Sequence, residues 1–166
     1  MSLKVDLPYP TLDGIGKDCK SLRIVSPAYA GREGELTATL QYVYQAIYLE
    51  AIGKGETAHV LLEIAVCEMH HIEILGSLIT RLGAPPVFTA CPPYPVGYYS
   101  ASYVNYVKSP ESMIAADIAG EKRAIRGYEN MLECLTEPKV RAVIERILAD
   151  ERLHLKTLQE IARAHK

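Results

Sequence analysis

The chain has no C-x-x-C pair: its four cysteines stand apart at positions 19, 67, 91 and 134. That spacing excludes a rubredoxin or zinc-knuckle module. There is no Lys/Arg cluster, and a formal net charge of -2 gives no electrostatic case for nucleic acid as a partner. No stretch is long and apolar enough to cross a membrane. The opening residues MSLKVDLPYP place no apolar run behind their lysine, which argues against a signal peptide and for a cytoplasmic protein. Disulfides are not expected in that setting, so each cysteine reads as a small buried or half-buried hydrophobe. At 166 residues, 49% of them hydrophobic, the chain suits one domain able to bury a core.

Glycine and proline divide what is present. Residues 1–30 carry Pro8, Pro10, Gly14, Gly16 and Pro27 and are expected to form an irregular or extended arm ahead of a helical domain over 31–166. From Arg32 to about Gly53 no proline occurs and Ala, Leu, Glu and Gln dominate, which predicts a first helix. Gly53-Lys54-Gly55 reads as a turn. A second helix is predicted from Glu56 to Leu82, ended by Gly83 and Pro85-Pro86. The segment 83–109 holds five prolines and five tyrosines and is long for a loop, as functional or crossover connections are. Its tyrosines are expected to pack the crossover or a subunit contact. Ser109-Pro110-Glu111 reads as a cap with proline at the first helical position, opening a third helix to about Leu135. Thr136-Glu137-Pro138 repeats that signal and opens a fourth to about Ala164. Two antiparallel hairpins joined by one long crossover make an all-α four-helix bundle.

The apolar stripes of these helices are interrupted in one place each. The second helix reads Leu61, Ile64, Glu68, His71, Leu75, Leu78, Leu82, and the fourth Val140, Ile144, Ile147, Glu151, His154, Leu158, Ile161. The third reads Ile114, Asp117, Glu121, Ile125, Tyr128, Leu132, and the first offers Glu35, Thr39, Tyr42, Ala46 and Leu49. Four glutamates therefore lie on faces that should be buried. An unpaired buried charge costs several kcal/mol, and no Lys or Arg appears on these stripes to neutralise it. Two divalent cations would, since their charge equals that of four carboxylates and the imidazoles bind neutral. Glu and His three residues apart project from one helical face, so Glu68/His71 and Glu151/His154 can each reach one metal. Glu35 and Glu121 complete the set. Each is followed seven residues later by a tyrosine, Tyr42 and Tyr128, as if the halves were duplicates of one hairpin.

The sequences around these residues resemble known motifs. Glu35-Leu36-Thr37-Ala38 with Gln41-Tyr42 is similar to the first-helix motif of bacterioferritins. Cys67-Glu68-Met69-His70-His71 and Ala149-Asp150-Glu151-Arg152-Leu153-His154 resemble the two E-x-x-H motifs of ferritins, rubrerythrins and manganese catalases. Ile118-Ala119-Gly120-Glu121 with Tyr128 resembles the third helix of rubrerythrins, although Ala124 stands where those carry a further carboxylate. The Pro-Tyr-rich arm before Gly34-Glu35-Leu36 is similar to spore-coat relatives of manganese catalase. Over about 31–164 the resemblance implies a ferritin-like bundle whose metal ligands are Glu35, Glu68, His71, Glu121, Glu151 and His154. It implies two iron or two manganese ions, acting on hydrogen peroxide or dioxygen with or without an external electron donor, in a homo-oligomer of two or more chains. A storage, cage or coat protein without turnover is the alternative.

Three further expectations concern neighbours of that set. Asp117 and Asp150 are placed to accept the outer N–H of a metal-bound histidine, though Asp150 reads equally as a surface charge. His70 lies off the stripe and is expected to be exposed or interfacial. Tyr42 and Tyr128 are either plain core tyrosines or catalytic side chains that bond a ligand carboxylate or supply an electron.

Overall fold

In the computed structural model, which describes residues 3–89 and 97–164, α1 (Cys19–Ala30) precedes α2 (Glu35–Ala51) and α3 (Gly55–Leu82). A crossover whose described residues include a 3-10 turn at Ala101–Tyr103 leads to α4 (Pro110–Cys134) and α5 (Pro138–Ala164). α2 packs along α3 and α4 along α5, giving the two expected hairpins. The start signals act as read: Ser109 accepts the Ser112 N–H at 3.1 Å, and the Glu137 carboxylate accepts the Val140 N–H at 2.6 Å. Gly83, at φ +107°, closes α3 in the left-handed conformation that glycine alone adopts freely.

α1 was not expected. Its density of neighbouring Gly and Pro suggested an irregular arm, yet Asp18 caps it by accepting the Lys20 N–H at 2.9 Å. Pro27 sits in its last turn, where few backbone bonds are lost. The physical demand for α1 comes from unequal helix lengths. α3 has 28 residues and α2 only 17, so by their rise the two span about 42 and about 26 Å. α2 begins at Glu35, leaving one end of the bundle a helix short, and α1 fills that place. Leu22, Val25, Ala28 and Tyr29 of α1 join Leu75, Leu78, Ile144 and Ile147 in one apolar cluster, to which α2 adds only half-buried Leu36. A second cluster at the other end gathers Tyr42, Leu49, Leu61, Ile64, Met113 and Leu158, with Leu3 from the start of the chain. The interrupted stretch of each stripe lies between these two clusters.

The crossover is pinned at both described ends. Thr89 and Tyr98 form an isolated antiparallel bridge, and the Asn105 N–H donates to Gln41 Oε1 at 3.1 Å. Tyr106 packs edge-on to Tyr44 at 4.9 Å and Tyr99 to Tyr103 at 5.6 Å, so these tyrosines pack the crossover as anticipated. Tyr98 is exposed, and Tyr94 and Cys91 lie outside the described residues. Cys67 is buried, but Cys19 and Cys134, at helix ends, are exposed rather than covered.

The link between α1 and α2 is tight enough to need glycine. A Cβ on Gly34 would lie 2.5 Å from the Ala28 carbonyl oxygen and 2.8 Å from that of Pro27. Gly34→Ala should therefore push α2 away from α1, displace the adjacent Glu35 and cost about 1–3 kcal/mol. Thermal melting checks this against Gly16→Ala, whose Cβ would meet nothing within 4 Å and which should melt like the wild type.

Candidate metal centre

One helical turn separates Glu68 from His71 on α3, and the same turn separates Glu151 from His154 on α5. The helices run antiparallel, so each histidine meets the other helix's glutamate level. His71 Nδ1 lies 2.9 Å from Glu68 Oε2, 3.1 Å from Glu151 Oε1 and 3.7 Å from Glu35 Oε2. His154 Nδ1 lies 3.2 Å from Glu68 Oε1 and 3.9 Å from Glu121 Oε1. The structure thus brings all six sequence-derived residues together, none more than 4% exposed. They fall into two sets of four, Glu35/Glu68/His71/Glu151 and Glu68/Glu121/Glu151/His154. Within each set the donor atoms lie within 4.8 Å of one another, and Glu68 and Glu151 belong to both.

The donor set fits a pair of divalent cations. Glu68 Oε1, Glu121 Oε2, Glu151 Oε1 and His154 Nδ1 are all buried without a hydrogen-bond partner. Such orphaned atoms are rare in a folded protein because each has lost its water. His154 Nε2 donates to the Leu3 carbonyl at 2.9 Å, and a carbonyl can only accept. A neutral His154 therefore carries its proton on Nε2 and turns the Nδ1 lone pair toward the glutamates. Nitrogen and oxygen donors of this kind suit iron or manganese.

With no metal bound, protons must hold this layer together. Burial, followed by the charges of Glu151 and Glu68, pushes the Glu121 carboxyl well above its usual range. Burial alone would depress His154 and His71, but the carboxylates outweigh it: chiefly Glu68 raises the first and Asp150 the second.

Tyr42 and Tyr128 are buried, and their hydroxyls donate across the bundle: Tyr42 to Glu121 Oε1, Tyr128 to Glu35 Oε1. Each tyrosine sits two turns beyond a glutamate on its own helix, and α2 and α4 are antiparallel. Each hairpin thereby orients the other hairpin's glutamate. Asp150 is buried and accepts from His71 Nε2 at 3.2 Å, which excludes the surface-charge reading. Burial would raise its carboxyl, yet bonds from His71, Arg146 and Tyr9 hold it below the ordinary range. Arg146 is the buried cation that the stripes did not reveal; it pairs with Asp150 at 2.6 Å, not with the four glutamates. Asp117 meets neither histidine: its Oδ1 accepts from Gln41 Nε2 at 2.7 Å and Gln45 Nε2 at 2.9 Å. His70 is half-buried, 3.1 Å from Glu73 and edge-on to Tyr9 at 4.8 Å.

A cavity of 880 Å³ reaches the layer from the α2–α4 side, with Glu35, Tyr42, Glu121, Tyr128 and Glu151 in its wall. It exists because α4 presents small residues there: a Cβ on Gly120 or Gly127 would meet nothing within 4 Å. At its solvent end Arg123 pairs with Glu33 at 2.9 Å, and Arg32 lies over the Tyr103 ring at 5.6 Å.

The sequence model of the ferritin-like domain matches residues 32–165. No curated protein matches the chain. Among solved structures the chain is similar to KatB, a manganese catalase from Anabaena, at 21% identity and a TM-score of 0.81, covering 99% of this chain and 80% of that one. It is similar to the Desulfovibrio desulfuricans bacterioferritin at 25% identity and a TM-score of 0.74, covering 87% and 78%. The dodecameric thioferritin of Bacteroides fragilis matches at 25% identity and a TM-score of 0.68, covering 90% of both chains.

Asp117 provides a pH test that does not involve the ligands. Burial raises its carboxyl from 3.8 to about 7, against the lowering effect of Gln41 and Gln45. The unfolded chain then releases this proton before the folded chain does. Stability should fall as pH rises from about 4 toward 7 and level off above, by on the order of a few kcal/mol. Asp117→Asn keeps an acceptor for both glutamines and cannot ionise. In metal-free protein it should match the wild type near pH 4 and exceed it at pH 8, as read by denaturant titration at both values.

Proposed function

The chain belongs to the ferritin-like family, and from that premise and the geometry above we propose that it is a di-metal oxidoreductase acting on hydrogen peroxide or dioxygen. One observation carries this reading: four glutamates and two histidines converge in a dry layer as two four-donor sets sharing two carboxylates. Glu35 and His71 would hold one ion, Glu121 and His154 the other, with Glu68 and Glu151 serving both. Iron or manganese bound there would supply two-electron redox chemistry toward a peroxide or dioxygen.

The chain's own residues set the conditions for it. Tyr42 and Tyr128 hold Glu121 and Glu35, so their role is positioning; their hydroxyls are already engaged by those carboxylates. Asp150 fixes His71. The two apolar clusters keep bulk water out at either end, and the α2–α4 cavity admits a small oxidant on the one side where Ala124 and Gly120 leave room. Manganese with catalase-like disproportionation needs no external electron donor; iron with peroxidase activity would use one, and in ferroxidase activity Fe²⁺ itself would supply the electrons. Likeness to bacterioferritins at 25% identity favours iron storage as the second reading.

A cytoplasmic homo-oligomer is part of the same proposal. Leu40 and Ile47 on α2 and Leu62, Val66 and Met69 on α3 are exposed on the outer side of the first hairpin. An apolar strip of that kind suits a second copy of the chain, and a dodecamer is what the Bacteroides relative forms.

Protein loaded with Mn²⁺ should consume hydrogen peroxide and evolve dioxygen without added reductant; Fe²⁺-loaded protein should consume peroxide or dioxygen. Absence of turnover in both forms, together with iron uptake far beyond two ions per chain, would establish storage instead. Glu121→Gln gives a second test. Without metal it relieves like-charge repulsion and should leave the melting temperature unchanged or higher. With Fe²⁺ or Mn²⁺ it should lower the melting temperature relative to loaded wild type, because one carboxylate is lost. An equal shift with and without metal would contradict a ligand role for Glu121.

A further inference from the structure

The first described residues of the chain run along α5 in register with its turns. Arg146, Asp150 and His154 are spaced four residues apart and so form one stripe on α5. Leu3 O accepts from His154 Nε2 at 2.9 Å. The Val5 N–H donates to Asp150 Oδ1 at 2.7 Å, and Val5 O accepts from Arg146 Nη2 at 2.8 Å. Leu7 O accepts from Arg146 Nε at 3.1 Å, and the Tyr9 hydroxyl donates to Asp150 Oδ2 at 2.5 Å. Leu3, Val5 and Leu7 thus meet His154, Asp150 and Arg146 on successive turns of α5. A tight turn shortens the step from Val5 to Leu7, the Leu7 N–H donating to Val5 O at 2.8 Å, and Tyr9 then returns its hydroxyl to Asp150.

The sequence prepares this segment. In Leu7-Pro8-Tyr9-Pro10, each residue before a proline is biased to extended backbone, which lowers the entropy lost on docking. The Tyr9 ring covers Arg146, its centroid 4.1 Å from the guanidinium. Leu3 packs into the second apolar cluster, but covering core does not explain the other contacts. Leu3 is buried, but Asp6, Leu7 and Pro8 remain exposed, and the bonds concentrate on one stripe.

That stripe is the outer support of both histidines. Leu3 bonds the outer nitrogen of His154 directly. Val5, Tyr9 and Arg146 fix Asp150, which in turn accepts from the outer nitrogen of His71. Hydrogen bonds of this kind select the tautomer and aim the other ring nitrogen. We propose that residues 3–9 are a positioning strap for the metal pair, holding His154 through the Leu3 carbonyl and His71 through Tyr9, Val5, Arg146 and Asp150. The strap grips the two histidines at separate points, so its two halves act on the two metal sites separately. This rests on the reading of His71 and His154 as ligands.

Co²⁺ is a suitable probe because its histidine ligands give shifted N–H proton signals and its binding is followed by visible absorption. Wild type should bind two Co²⁺ and show two such imidazole signals. Tyr9→Phe, which deletes one hydroxyl and keeps the ring, should weaken binding at one site by about tenfold and move the His71 signal. A chain lacking residues 1–4 should lose the His154 signal and weaken the other site. Leu3→Ala keeps the carbonyl and should bind Co²⁺ as wild type does while melting at lower temperature, which separates positioning from packing. If the shortened chain does not fold, Tyr9→Phe and Leu3→Ala decide the matter. Two unchanged sites and two unchanged N–H signals in Tyr9→Phe would overturn the strap while leaving the metal centre standing. A wild type that takes up no Co²⁺, Mn²⁺ or Fe²⁺ would overturn both.

Discussion

Four carboxylates buried in one layer repel each other, and the rest of the structure is arranged around that repulsion. Glu35, Glu68, Glu121 and Glu151 are nearly inaccessible to water, and apolar clusters close the layer from both ends of the bundle. In such surroundings like charges a few Å apart interact strongly, and the cost must be met by protons or by cations. The one buried arginine beside them, Arg146, is committed to Asp150. Two divalent ions balance the four glutamates with nothing left over. The orphaned atoms Glu68 Oε1, Glu121 Oε2, Glu151 Oε1 and His154 Nδ1 mark the donors that such ions would engage.

The layer is guarded unequally on its two sides. Toward α3 and α5, the segment from Leu3 to Tyr9 lies over the outer nitrogens of the histidines and leaves them no contact with solvent. Toward α2 and α4, Ala116, Gly120, Ala124 and Gly127 of α4 leave room, and the cavity reaches Glu35 and Glu121. A rigid histidine side and an open glutamate side follow from the same sequence features: the proline-bracketed Tyr9 on one face, Gly120 and Gly127 on the other.

Much of this was legible from periodicity. Glu68, His71, Glu151 and His154 interrupt apolar stripes at spacings that only a buried helical face explains, and the structure gathers them with Glu35 and Glu121. The crossover and both helix starts at Ser109 and Glu137 were equally plain, because proline and capping residues act locally. α1 was missed because Gly14, Gly16 and Pro27 outweighed the Asp18 cap and the Leu22, Val25, Tyr29 spacing that together announce a short helix. Arg146 was missed because it lies beside, not on, the counted stripe. The strap was out of reach for a different reason: its bonds join residues 139 to 151 positions apart, and no local pattern encodes them.

Charge balance by two cations is most directly tested by counting them. Metal-free protein titrated with Mn²⁺ under anaerobic conditions, with free ion followed by electron paramagnetic resonance, should bind two equivalents per chain before free Mn²⁺ appears. Protons should be released as it does so, because the empty layer holds protons that the ions displace. Free Mn²⁺ rising from the first addition, or saturation at a single equivalent without proton release, would contradict the account of four glutamates neutralised by a metal pair.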